Sequence, residues 1–232
     1  MPLHDHFRPP LSLRRHWHSF HNAWATYLSA QINEKLPPGW FAEANVQFGI
    51  EIDVATFEES PGIAMGWTPP APTLSVPFTT ATDVVEIKVF RDEGGPVLAG
   101  AIELVSPSNK DRPASRDAFV SKCAAYLQQG VGLVVVDVVT GMHANLHNDL
   151  LARLSSGAVE HMAELCASAY HPVERAGETS LDIWHEPLSV GNTLPTVPLW
   201  LRGGLCLPVD LESSYERTCQ EQKVLANGTG VG

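Results

Sequence analysis

The residues most suited to chemistry lie around Ala101-Ile-Glu-Leu-Val-Ser-Pro-Ser-Asn-Lys110. An apolar strand there carries one carboxylate, Glu103, and ends in a polar Ser-Pro-Ser-Asn turn. A helix-like segment with Lys122 follows, and then the apolar run Val131-Gly-Leu-Val-Val-Val-Asp-Val-Val139. On the strand, the neighbours of Glu103 on its own face are Ala101 and Val105, so the acid needs a partner or a metal ion. Lys122 sits at the edge of its helix's apolar stripe, between Phe119 and Tyr126, from where its amine reaches the sheet. Asp53 lies on the alternating strand Phe48–Val54. Two carboxylates on neighbouring strand ends hold Mg²⁺ or Mn²⁺ through oxygen. The ion would activate a water and offset charge on a phosphate, with a lysine steadying the transition state. Catalytic Asp53, Glu103 and Lys122, with Asp53 and Glu103 as metal ligands, are therefore the leading set. The plain reading is that Asp53 is a solvated residue of an amphipathic strand and that Glu103 and Lys122 form an ion pair.

Glu86-Ile-Lys88 is the second choice for catalysis. It is a literal E-x-K with both side chains on one face of a strand, but its strand leads into a hairpin and not into a helix. His21 shares the apolar stripe of the first helix with Trp17 and Trp24, which suits a packed core histidine or a residue bordering the site. Asp137, amid valines, reads as a buried structural acid, with a supporting role at the site as the alternative. Five of the ten histidines precede residue 22, and a mobile terminus is the simplest reading of His4 and His6. Ser106 and Ser108 lack a G-x-S-x-G elbow, and no G-x-x-x-x-G-K-[ST] loop is present.

The elements that position these residues follow from periodicity. Residues 16–36 read as a helix stopped by Pro37-Pro-Gly39. Residues 40–57 read as two strands or one bent strand, and 58–82 as a proline-rich surface excursion. Asp83–Phe90 and Val97–Val105 flank a hairpin signal, Arg91–Pro96. A helix starts at Ser115 or Asp117 and ends at Gly130. The run 131–139 is apolar on both faces, as in a central strand. Residues 143–168 read as helical, with short strands at 181–184, 197–201 and 206–209 and a last helix from about Leu211. This order predicts an α/β fold with a mixed central sheet flanked by helices. Residues 1–225 make one domain, with a core at about 16–140 and a C-terminal α/β extension at about 141–225. Residues 226–232 form a disordered tail.

Composition narrows the function. The 44% hydrophobic content and 18% charge are those of a globular chain. No apolar run is long enough to span a membrane. The first residues lack a secretory signal, and the four scattered cysteines show no C-x-x-C, which fits reduced thiols in the cytoplasm. The net charge of −11 opposes general nucleic-acid binding. Six of the fifteen basic residues nevertheless fall between Lys88 and Lys122, as a modest local rim. Oligomeric state is left open.

The chain resembles the bacterial family known as domain of unknown function 4058. The matching segments are Trp17–His21 with Leu36-Pro-Pro38, Val85-Glu-Ile87, Ala101–Lys110, Val136–Thr140, Leu194–Leu201 and Val209–Glu212. More distantly it resembles the Uma-type restriction-endonuclease-like proteins. There Ile52-Asp-Val-Ala55 stands for a P-D strand without its proline, Glu103–Ser108 for the acid strand, Lys122 for the helix lysine and Asp137 for the closing strand. That resemblance implies a PD-(D/E)XK core and a Mg²⁺-dependent nuclease, or a catalytically inactive member that binds a protein or serves as a structural module.

Overall fold

In a computed structural model of the chain, residues 1–48, 50–58, 66–77, 97–155, 161–175 and 177–224 are described. For 45–48, 50–53, 55, 57–58 and 77 this covers the backbone alone. The strand expected at 83–90, with Glu86 and Lys88, and the hairpin at 91–96 lie outside the described residues.

Helix α1 (Trp17–Asn33) buries Phe20, Trp24, Leu28 and Ile32, whose spacing of four residues makes one continuous stripe. The chain then forms two separate antiparallel strands, β1 (Trp40–Phe48) and β2 (Ile50–Glu58). Strand β3 (Leu74–Pro77) comes next in sequence, followed by β4 (Val97–Leu104), α2 (Pro107–Lys110), α3 (Pro113–Gln128) and β5 (Gly132–Asp137). Helix α4 (Leu146–Leu154) precedes the long strands β6 (Cys166–Arg175) and β7 (Glu178–Pro187). The last elements are β8 (Thr196–Trp200), β9 (Cys206–Asp210) and α5 (Leu211–Glu221).

Seven strands form one mixed sheet in the order β1-β2-β4-β5-β6-β7-β3, and β8 and β9 form a separate hairpin. Among the described residues only β4 and β5 pair in parallel. Parallel neighbours need a crossover, and α2 and α3 supply it. On one face lie α1, α5 and the β8–β9 hairpin, packed around Ile102, Leu104, Val134 and Val136. On the other lie α3 and α4, packed around Ala101, Val105, Leu133 and Val135. Every residue of β5 is buried, as its unbroken apolar run predicts.

Four expectations are corrected. Residues 143–168 are not one helix: α4 ends at Leu154, and Cys166 opens β6. A fully buried β5 needs partners on both edges, and β6 fills the second one, Leu133 opposite Tyr170 through Asp137 opposite Cys166. The excursion at 58–82 includes a strand, since Leu74–Pro77 pairs with β7 at the sheet edge. The crossover begins earlier than Ser115: the Ser-Pro turn is itself the helical turn α2, and α3 starts at Pro113, a favoured first helical residue. Finally, the N-terminus is packed. Leu3 is 1% exposed, and buried His6 meets the Tyr215 hydroxyl at 2.7 Å.

Two glycines set the thickness of the sandwich. Gly100 and Gly132 are paired across β4 and β5. A Cβ on Gly132 would stand 1.8 Å from the Trp200 carbonyl oxygen, and one on Gly100 would stand 2.6 Å from Leu201 Cδ2. The hairpin thus rests directly on the backbone of the two central strands. Gly132→Ala should destabilise the fold by roughly 3 kcal/mol or more in urea titrations, because the obstacle is backbone. Gly141→Ala, whose Cβ would meet nothing nearer than 4.0 Å, should stay within about 0.5 kcal/mol of the parent.

The packed terminus has a pH signature. Burial lowers the His6 pKa from 6.5 to about 4. Between those values the unfolded chain binds a proton that the folded chain does not. The His6 contribution is therefore intact above pH 6.5 and is lost as pH falls toward 4, at up to about 1.4 kcal/mol per pH unit. Denaturation midpoints of His6→Phe should fall less steeply than those of the parent between pH 6.5 and 4.

Candidate functional site

Glu103 is the penultimate residue of β4 and is 2% exposed. Its Oε2 accepts a 2.7 Å hydrogen bond from Lys122 Nζ, on the third turn of α3. The Lys122 side chain is 15% exposed, and its ammonium lies 5.4 Å from the centroid of the Phe119 ring. This is the contact that the helix stripe predicts. The pair faces a cleft of about 450 Å³ whose lining includes His18, His21, Ser106, Ser108 and Asn109.

Local sequence builds the rim. Ser106 caps α2 in a reciprocal capping box: its side chain accepts the Asn109 N–H, and Asn109 Oδ1 accepts the Ser106 N–H at 2.8 Å. The two serine hydroxyls meet at 2.7 Å. On the opposite wall His21 Nε2 lies 2.9 Å from the Leu104 carbonyl oxygen. A carbonyl only accepts, so Nε2 carries the proton. His21 thereby ties α1 to the residue after Glu103.

Asp53 falls in β2 immediately before Val54, whose partner is Ile102; its side chain lies outside the described residues, as do Glu86 and Lys88. Asp137 is apart from the cleft lining. Its Oδ2 accepts from Lys110 Nζ at 2.8 Å, and its Oδ1 accepts the Val139 N–H at 3.1 Å. Burial pushes the Asp137 carboxyl up from its ordinary value, while Lys110 and the Val139 N–H pull it down. Lys110, whose side chain is 0% exposed, was hidden inside the Ser-Pro-Ser-Asn-Lys motif. The signal that finds it is Asp137 itself, since an acid in a run of valines requires a buried cation. Pairing Lys110 inward also removes it from the basic rim expected around the cleft.

Other nucleophiles are excluded by their surroundings. All four cysteines are buried and outside any disulfide. Burial pushes the thiols of Cys166 and Cys206 up to about 12 and that of Cys219 up to about 11, so they are not thiolates near neutral pH.

A second polar cluster escaped the sequence reading. His147 on α4, His185 on β7 and His161 between α4 and β6 bring a ring nitrogen each within 4.8 Å of one another. Burial, reinforced by the adjacent imidazoles, lowers His147 to about 3 and His185 to about 4. Both are neutral near pH 7. The three positions are 14 and 24 residues apart, so no local motif announces them.

No protein-family model, no curated protein and no solved structure matches the chain. No helix among the described residues is long and apolar enough to cross a membrane.

The Lys110–Asp137 pair yields a direct test. Asp137→Ala strands a fully buried ammonium and should cost about 3–5 kcal/mol in chemical denaturation. Combining Lys110→Met with Asp137→Leu removes both charges and should recover most of that loss.

Proposed function

We propose that the Glu103–Lys122 cleft is the active site of a Mg²⁺-dependent phosphodiesterase of the PD-(D/E)XK type, acting on DNA or RNA. The observation that supports it is a buried carboxylate at the carboxyl end of the parallel pair β4–β5, touched by an ammonium from the crossover helix and facing a cleft. Clefts at the carboxyl ends of parallel strands are where open α/β sheets place their ligands.

The donor set fits a hard cation. Glu103, Ser106, Ser108 and Asn109, whose side chains all carry oxygen, line the cleft, and oxygen is what Mg²⁺ or Mn²⁺ prefers. Glu103 would hold the ion, with Asp53 as the second carboxylate that the resemblance implies. When bound, such an ion lowers the pKa of a coordinated water and offsets charge on the phosphate. Lys122, which lines the cleft, would stabilise the oxygens of the transition state. His21, Ser106 and Asn109 keep the strand end and the following turn fixed around Glu103. The buried cysteines, outside any disulfide, accord with a cytoplasmic protein.

A specific observation favours a second reading, a non-catalytic module on the same fold that binds a protein or is structural. The acid already holds a short bond to a lysine, and Lys110 is unavailable to a phosphate backbone in a chain of net charge −11.

The two readings part on metal and substrate. In the catalytic one, millimolar Mg²⁺ or Mn²⁺ raises the melting temperature. A ligand at 100 times its dissociation constant contributes roughly 2.7 kcal/mol. Glu103→Gln then abolishes the shift and any divalent-dependent nicking of plasmid DNA or RNA, while Lys122→Ala loses cleavage and keeps metal binding. A melting temperature indifferent to both ions, with no cleavage and a destabilised Glu103→Gln, assigns the pair to structure instead.

A further inference from the structure

We propose that His147, His161 and His185 form a second, independent metal site that takes a late first-row divalent ion, Zn²⁺ first among them, through three imidazole nitrogens.

The geometry is that of a ligand set awaiting an ion. Nε2 of each of the three rings is buried and has no hydrogen-bond partner among the described residues. Buried polar atoms are almost always satisfied, and three unsatisfied ones in a single cluster call for a common acceptor of their lone pairs. Ring nitrogens within 4.8 Å of one another share a point no more than about 2.8 Å from all three, against a Zn–N bond of about 2.0–2.1 Å. Small ring rotations close that gap.

The opposite nitrogens are anchored as metal-bound histidines require. His147 Nδ1 meets the Tyr170 hydroxyl at 2.6 Å, and His185 Nδ1 meets the Ser168 hydroxyl at 2.9 Å. With a metal on Nε2 the proton resides on Nδ1, so both hydroxyls accept and fix the tautomer. Ser168 and His185 are cross-strand partners on β6 and β7, which places one ligand on the rigid sheet. His161 is held through its backbone: its N–H donates to Asn148 Oδ1 at 3.0 Å, and its carbonyl accepts from Asn145 Nδ2 at 3.0 Å and Asn148 Nδ2 at 2.9 Å. Two side chains of the α4 N-terminus thus clamp the segment that delivers the third ligand.

Softness separates this site from the cleft. Imidazole nitrogens suit Zn²⁺, Cu²⁺, Ni²⁺ or Co²⁺, whereas Mg²⁺ requires oxygen. Three protein ligands leave a fourth position for water or an anion.

The test uses the full chain after chelator treatment. Co²⁺ titration followed by visible absorption should give a tetrahedral d–d spectrum saturating at one ion per chain. Zn²⁺ should abolish that spectrum by displacement. His161→Ala, at the least buried of the three positions, should retain the fold by circular dichroism and lose at least 100-fold in Zn²⁺ affinity against a chromophoric chelator. Ser168→Ala and Tyr170→Phe should each weaken binding by about 10- to 100-fold. His16→Ala with His18→Ala should leave it unchanged. X-ray absorption on the Zn²⁺-loaded parent, which needs no variant, should count three imidazole nitrogens. Fewer than three, or Zn²⁺ affinity unaffected by His161→Ala, overturns the proposal. Neither result depends on nuclease activity or on Mg²⁺.

Discussion

Covering the parallel pair β4–β5 on both faces is the constraint from which most of this structure follows. Strands sealed between two packed layers offer no water to a charge, and an ion buried without a partner costs several kcal/mol. Both strands nonetheless carry an acid at the carboxyl end, Glu103 and Asp137. Each must be met by a cation from within the fold. The crossover provides the two, Lys110 on α2 and Lys122 on α3. The α2–α3 corner therefore links the parallel strands and delivers two ammonium groups to one face of the sheet. Ser106 makes the corner possible, since its capping box converts the end of β4 directly into a helical turn.

The opposite face is held by close approach. With glycine at both Gly100 and Gly132, β8 packs onto the strand backbones, and Arg202 N–H donates to the Ala99 carbonyl at 2.8 Å. Backbone against backbone leaves little room for the central strands to shift. Rigidity there matters on the other side, because a carboxylate at a strand end is positioned only as well as its strand. The α1 face contributes through His21, which reaches past the strand end to the Leu104 carbonyl. The cleft is thus braced from both layers.

Much of this was legible in the residues. The unbroken apolar run at 131–139 marks a strand with both faces covered, and Ala101-Ile-Glu-Leu-Val105 shows an acid on a buried face. The position of Lys122 on its helix stripe then identifies the partner of Glu103. Strand β6 was not legible. Ala163-Glu-Leu-Cys-Ala-Ser-Ala169 consists largely of good or neutral helix formers, and only the open edge of β5 makes part of it a strand, a tertiary demand that overrides propensity. Lys110 was obscured by its place in a polar motif that reads as a surface turn. The histidine cluster draws on a helix, a connecting segment and a strand, so it exists only once β6 and β7 have paired.

The two polar sites share one side of the sheet. Glu103 belongs with Ala101 and Val105 on the α3–α4 face, and His185 with Leu181 and Ile183 on that same face. Between them run Asp137 at the end of β5 and Ser168 on β6, opposite Val135. Polar groups therefore cross four neighbouring strands on the side where the helices, not the hairpin, form the cover. That cover is suited to them in a way the other layer is not. Helices α2, α3 and α4 bring lysine and histidine side chains down to the strands, whereas on the other face the Trp200 carbonyl against Gly132 and the Leu199 and Leu201 side chains against Gly100 leave no room for a further side chain. Glu103, Asp137, Ser168 and His185 thus lie on one face, while the close-packed hairpin on the other fixes the strands in place.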